Sequence, residues 1–259
     1  MLTFHRRRKM RVGVYIDAFN LYYGARDLCG RANPGWRWLN IVELVEQKLT
    51  ARTDWPRATV TTVAYCTALR EKDGDASSAR DQRIYIGAIA SDPRLKVEYG
   101  QYNPKLAKGL LSRPGRRGKK ARIDRVVSPG LGNIPDWLPA LEFRRPEGEV
   151  NLLVNVSTYE EKGSDVNVAA RLLEDLFLHR IDAAVVVSND GDLRLPLQIA
   201  RARVPVALFN PSRRPTSAML QGERSDGVGR HWWLRLAKED FLGHQLPDQV
   251  GELRKPQGW

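Results

Sequence analysis

A chain of 259 residues with 42 Lys or Arg against 30 Asp or Glu carries a formal charge of +12. That length buries a sizeable core as one domain, or as one domain with an insertion. Two cysteines, Cys29 and Cys66, are too few for a disulfide framework or a four-ligand zinc site, so a reducing cytoplasm is the simplest setting. No apolar run reaches the roughly 18 to 20 residues of a membrane span, and the basic head Arg6-Arg7-Arg8-Lys9 is not followed by a signal-type apolar segment. A cytoplasmic protein without a membrane partner is expected.

The charge is unevenly placed. Residues 105–125 hold nine Lys or Arg against one acid, Asp124, and residues 1–11 add five more basic residues and no acid, which leaves the remainder close to neutral. Concentrated positive charge suits a polyanion, because neutralised phosphates release counterions. Residues 1–11 therefore read as a flexible basic arm, and Arg113, Arg116, Arg117, Lys119, Lys120, Arg122 and Arg125 as candidate nucleic-acid contacts. The competing reading is a pair of solvated, merely solubilising segments.

In chain order, Val12-Gly13-Val14-Tyr15-Ile16 reads as a buried strand ending at Asp17, and Ala18 to Tyr23 starts a helix or turn that brings Asn20 close to Asp17. Asn40 is a candidate N-cap for a helix through Ile41 to Lys48. Ala58 to Cys66 is a second strand, Asp75 to Ala90 a helix, and Leu95 to Tyr102 a third strand. Between about 104 and 148 Pro, Gly and basic residues recur without periodicity, which reads as an insertion that leaves the sheet and returns at Val150 to Tyr159. Asp165 then opens an amphipathic helix to His179, and Ile181 to Val187 is a strand apolar enough to be buried on both faces. A helix from Asp192 to Ala202, a last strand at Val204 to Phe209 and a short helix at Leu234 to Leu242 complete the chain. Alternating strands and helices predict an open α/β sheet with parallel strands.

Candidate chemistry gathers at element ends. Asp17 and the run Ser188-Asn189-Asp190-Gly191-Asp192 follow strands directly, and Asp165 starts a helix after Lys162-Gly163-Ser164. In open α/β sheets ligands collect outside the carboxyl ends of strands. Carboxylates converging there suit a hard divalent ion, Mg²⁺ or Mn²⁺, which keeps several waters and needs few protein ligands. Asp17, Asp165 and Asp190 are the candidate metal ligands, with Asp192 beside them as a catalytic acid. Asn20, Lys162, Ser188, Asn189 and Asp175 are supporting candidates, Asp175 lying nearly three helical turns after Asp165. Each has a plainer reading: Asp165 as a first-turn acid, Asp190 and Asp192 as a helix-capping turn, and Lys162, Ser188 and Asn189 as loop geometry. Trp36, Trp38, Trp232 and Trp233 suit base stacking or, more commonly, a core. The four histidines show no zinc spacing.

Taken together, Tyr15-Ile16-Asp17-Ala18-Phe19-Asn20-Leu21, Glu161-Lys162-Gly163-Ser164-Asp165-Val166-Asn167 and Ser188-Asn189-Asp190-Gly191-Asp192-Leu193 resemble the NYN domain family of PIN-like nucleases. Gln245-Leu246-Pro247-Asp248 is similar to a tail recurrent in one bacterial branch. The resemblance implies a PIN-like three-layer sandwich with a central, mostly parallel sheet and flanking helices. It would occupy residues 12–250 as a single domain interrupted at about 104–148, with 251–259 as a tail. It also implies a metal-dependent endoribonuclease with RNA as partner, the alternative being an inactive RNA-binding or scaffold protein of the same fold. Homo-oligomerisation stays open. A phosphatase of the haloacid dehalogenase class also places an Asp after its first strand but expects a second acid two residues on, where this chain has Phe19.

Overall fold

The computed structural model describes residues 9–70, 76–110, 112–113, 122–123, 140–144, 146 and 150–259. The chain divides into two compact units, Met1–Tyr102 with Glu161–Trp259, and Asn103–Glu160. It starts with β1 (Met10–Asp17), α1 (Ala18–Cys29), α2 (Ile41–Thr50), β2 (Ala58–Thr67), α3 (Ala76–Ile89) and β3 (Leu95–Tyr99). Five strands follow: β4 (Gln101–Leu110), β5 (Ser112–Arg113), β6 (Arg122–Ile123), β7 (Ala140–Arg144) and β8 (Val150–Lys162). The chain continues through α4 (Ser164–Phe177), β9 (Ala183–Val187), a 3-10 turn (Gly191–Leu193), α5 (Arg194–Arg201), β10 (Val206–Asn210) and α6 (Ala218–Gln221). It closes with β11 (Trp232–Arg235), α7 (Lys238–Gly243), β12 (Gln249–Val250) and β13 (Leu253–Arg254).

The larger unit is built on a six-stranded sheet in the order β11-β10-β9-β1-β2-β3, in which every neighbouring pair is parallel. Parallel strands need crossovers, and the crossover helices cover both faces, so central strands lose the alternation of a half-exposed sheet. All five residues of β9 are buried. Val14, Ile16, Val185, Val187 and Phe209 pack on one face with α1, α2, α3 and α7. Tyr15, Cys66, Val186 and Leu208 pack on the other with α4 and α5. The result is an α/β structure of three layers.

The order of strands fixes where a ligand fits. From β1 the chain moves outward to β2 and β3, then returns to the opposite side of β1 with β9, β10 and β11. Crossovers on the two sides leave β1 and β9 in opposite directions, which opens a crevice at their carboxyl ends. Asp17 ends β1, and Ser188-Asn189-Asp190 follows β9.

Several sequence expectations change. Val204 to Phe209 is not the last strand of the sheet, because β11 adds a parallel edge strand pairing Ala207 with Trp232 and Asn210 with Arg235. Its four residues follow Gly229 and Arg230, both at positive φ, so too little regular pattern precedes it to signal a strand. Leu234 and Arg235 belong to that strand, and α7 accordingly starts only at Lys238. The third strand stops at Tyr99. In the stretch read as aperiodic, the described residues form much of β4 together with β7 and the antiparallel pair β5-β6, and Val150 to Tyr159, expected to return to the main sheet, lies instead in β8, which pairs with β4 and β7 in a separate sheet. No helix of the described residues is long and apolar enough to cross a membrane.

Candidate active site

Asp17 serves as both strand end and helix start. It is the N-cap of α1, its Oδ1 accepting from the Asn20 amide at 3.0 Å. Its Oδ2 accepts from the Ser188 hydroxyl at 3.2 Å, and Ser188 Oγ in turn accepts from the Asp190 amide at 3.1 Å. Asn20 Oδ1 accepts from the Asn189 amide at 3.0 Å, so the start of α1 is tied twice to the loop after β9. Asn189 extends the network, donating to Ser212 Oγ and the Pro215 carbonyl, both at 3.2 Å, and accepting from the Ser217 amide at 2.9 Å. Five backbone or hydroxyl donors thus fasten the three loops, which is how a rigid site is built from strand ends.

Asp17 is only 5% exposed, and burial pushes its carboxyl up to about 6. The hydrogen bonds from Asn20 and Ser188 oppose that rise, while the charges of Asp190 and Glu161 add to it. Desolvation wins: two hydrogen bonds do not offset removal from water with two acids nearby. A carboxyl in this range exchanges protons near neutral pH.

The cleft around it has a volume of about 530 Å³. Asp17, Asp165, Asp190, Glu161 and Asp27 line it, and Arg213 and Arg214 line it as well. Asp165 reaches it from the first turn of α4, whose N-cap Gly163 takes a left-handed φ of 95° that disfavours any residue with a Cβ. Glu161 Oε1 accepts from the Ser164 amide at 3.0 Å, fixing that turn. A cation fits the charge balance, because buried Asp17 faces Asp190 and Glu161 without a basic partner in its hydrogen bonds. Among the described residues, no three His, Cys, Asp or Glu side chains come together as a ligand group, so the expected set of Asp17, Asp165 and Asp190 shares a cleft without closing on one point. The supporting residues divide. Asn20 and Asn189 line the cleft, and Ser188 is buried behind Asp17. Asp190 caps the 3-10 turn, its Oδ1 accepting from the Asp192 amide at 3.0 Å, and exposed Asp192 does not line the cleft. Lys162 is exposed and also outside the lining.

Asp175 lies elsewhere, buried under the opposite face of the sheet, where its Oδ2 accepts from the Tyr15 hydroxyl at 2.9 Å and its Oδ1 from Arg180 at 3.2 Å. Arg113 and Arg122 face each other in the register of β5 and β6, whereas Arg116, Arg117, Lys119, Lys120 and Arg125, like the basic arm through Arg8, fall outside the described residues. Trp36, Trp38 and Trp232 are core residues. Sequence reading passed over Asp27, Tyr23, Arg213 and Arg214. Asn20, Tyr23, Gly24 and Asp27 form a stripe at helical spacing on α1, and the two arginines follow the carboxyl end of β10, so the rules that picked Asp17 and Asp190 also reach them.

No family model matches the chain. It is 26% identical to 6-hydroxy-3-succinoylpyridine 3-monooxygenase of Pseudomonas putida over a 273-residue alignment covering 96% of this chain and 75% of that enzyme. A solved structure of a protein of unknown function from Vibrio parahaemolyticus covers 93% of this chain and 98% of its own at 16% identity, with a TM-score of 0.43, too low to carry an argument. The first comparison corrects the sequence expectation. An endoribonuclease was expected, with an inactive RNA-binding scaffold beside it, yet the relative aligned across nearly the whole chain is a monooxygenase by name. Strand-end carboxylates mark a site without specifying its reaction.

Proposed function

We propose that this chain is an enzyme of the oxidoreductase class, a monooxygenase acting on a small heteroaromatic compound at the cleft between the ends of β1 and β9, on a PIN-like scaffold of the kind the NYN resemblance implies. The observation that carries the reading is the alignment with the succinoylpyridine monooxygenase over 96% of the chain. A cleft at the topological switch point of the sheet supports it as the place where such chemistry is done. In the overall reaction one atom of dioxygen is inserted into the substrate, the other leaves as water, and a reduced nicotinamide or flavin donor supplies the two electrons.

Within that reading Asp17 holds or accepts a proton at Oδ2, where the Ser188 hydroxyl keeps the carboxylate oriented. Asn20 and Asn189 hold the two loops at fixed separation. Arg213 and Arg214 attract an anionic substituent of the substrate. Asp17 and Asp190 would hold a Mg²⁺ or Mn²⁺ ion with water completing its shell, supplying positive charge that eases ionisation of a ring hydroxyl.

The test uses the purified full chain with 6-hydroxy-3-succinoylpyridine, reduced nicotinamide cofactor with free flavin, and isotopically labelled dioxygen, with and without added Mg²⁺ or Mn²⁺. The expected product carries one labelled oxygen, and its formation is lost in Asp17→Asn. A product without label, or none under any of these conditions, overturns the proposal.

A further inference from the structure

A second cavity lies beside the acidic cleft and is its chemical opposite. Its volume is about 100 Å³, and aromatic residues dominate its walls: Tyr22, Trp36, Tyr65, Tyr85, Phe241 and Trp259. Phe19, the residue after the first turn of α1 begins, lines both this cavity and the cleft. Apolar walls alone would suggest ordinary core packing. Two polar atoms argue otherwise.

Trp36 is 2% exposed, and its Nε1–H has no hydrogen-bond partner. Arg70 also lines the cavity, and its buried Nε–H is unpartnered as well. A buried donor left unsatisfied costs about 1 to 3 kcal/mol, and native structures keep such groups rare. Two orphaned donors around one cavity therefore call for acceptors that the described protein does not provide. Arg37 adds positive charge at the same wall, its guanidinium lying 4.5 Å from the centroid of the Trp36 ring.

We infer that this cavity binds a small planar aromatic acid, its ring stacked among the aromatic walls and its carboxylate accepting from Trp36 Nε1 and Arg70 Nε. Flat aromatic walls favour a planar ring by offset or edge contacts. The charge agrees, because Arg37 and Arg70 are the charged residues among the lining and both are cationic. Phe19 as a shared wall places the far edge of such a ligand next to the carboxylate cleft. Binding in this cavity does not rest on the monooxygenase reading, which places the substrate in the acidic cleft.

Binding is measured by isothermal titration of the intact chain with nicotinate, without cofactors or turnover, so failure of this proposal and failure of the oxidative reading are separable. Nicotinate is expected to bind once per chain, with pyridine, which lacks the carboxylate, and cyclohexanecarboxylate, which lacks the flat ring, each at least tenfold weaker. Trp36→Phe keeps an aromatic ring in the wall while removing the indole N–H, and Arg70→Met removes the other donor; each should weaken nicotinate about fivefold or more, as loss of a buried hydrogen bond implies. Tyr15→Phe, on the opposite face of the sheet, should leave the affinity unchanged. Thermal melts of all variants establish that they fold, and if Trp36→Phe does not, Arg70→Met decides alone. Absence of saturable binding, equal affinity for all three probes, or wild-type affinity in the folded donor variants overturns the inference.

Discussion

The acidic cleft and the aromatic cavity flank the same helix, share Phe19, and differ in almost every other respect. The cleft is polar, about 530 Å³, and held by hydrogen bonds between loops; the cavity is about 100 Å³ and held by packed rings. Tyr65 and Tyr85 in the cavity wall meet edge to face at 6.3 Å, and Trp38 lies against Tyr85 at 6.0 Å. The cleft carries five carboxylates against two arginines, whereas the cavity has two unpartnered donors, Trp36 Nε1 and Arg70 Nε. One site therefore asks for a cation or a proton and the other for an anion.

The largest expected effect falls on the acidic side. Asp17→Asn keeps the N-cap to Asn20 through Oδ1, reverses the hydrogen bond with Ser188 and cannot take a proton, so turnover should fall by about 10² to 10⁴, the usual contribution of a positioned acid or base. Nicotinate affinity should stay as it is. A parallel loss of both would mean that the two sites are one.

Next comes the pH dependence of stability without added metal. Folding raises the Asp17 pKa from 3.8 to about 6, so the folded state binds more protons than the unfolded state between those values. Stability should then fall as pH rises through that window, by about 3 kcal/mol in all, and level off above it. Denaturant melts at pH 4 and pH 7 measure the difference. Asp17→Asn should flatten it and be the more stable protein at pH 7, and millimolar Mg²⁺ or Mn²⁺ should reduce it in the unaltered chain. A slope of the opposite sign would place the carboxylate in a site that already favours its charge.

Gly24→Ala tests the architecture between the two. A Cβ at Gly24 would stand 2.4 Å from the Pro211 carbonyl oxygen, a backbone atom that yields only if the loop moves. Overpacking of this kind costs about 1 to 3 kcal/mol. Ser212, Arg213 and Arg214 move with that loop, so turnover should fall while the aromatic cavity, which Gly24 does not line, keeps its affinity.

Much of this was visible in the chain itself, and for definite reasons. Val185-Val186-Val187 announces a strand buried on both faces, and Asp17 and Asp190 at strand ends point to the switch-point crevice. Asn40 caps α2 as its position suggests, accepting from the Glu43 amide at 3.2 Å. Local pattern did not reach further. Asp175 sits on the same helix as Asp165, but the α4 face that carries it packs beneath the sheet against Tyr15, and spacing along a helix does not tell which layer that face meets. The aromatic cavity was hidden for a related reason. Trp36, Tyr65, Tyr85, Phe241 and Trp259 come from five separate stretches, and only the folded chain brings them around one space. Reaction type was the least legible, because a cluster of acids is compatible with several chemistries.

Tyr15→Phe supplies the smallest effect and the sharpest control. Tyr15 points to the α4 face of the sheet, donates to Asp175 at 2.9 Å, and is kept protonated by burial and by that neighbouring carboxylate. Removing the hydroxyl takes one of two donors from a buried acid, while Arg180 at 3.2 Å, half of it in solvent, retains the other. Loss of a hydrogen bond to a charged group costs about 1.5 to 3 kcal/mol when nothing replaces it, and the remaining arginine should hold the cost near 1 to 2. Tyr15 lies two residues from Asp17 on the same face of β1, opposite Ile16 and the aromatic cavity, and lines neither site. Turnover and nicotinate affinity should therefore match the unaltered chain at temperatures where both are folded. A drop in either would show that the helical layer carrying Asp175 is coupled to the strand ends, and the separation between acidic cleft and aromatic cavity would then have to be drawn through the sheet rather than along α1.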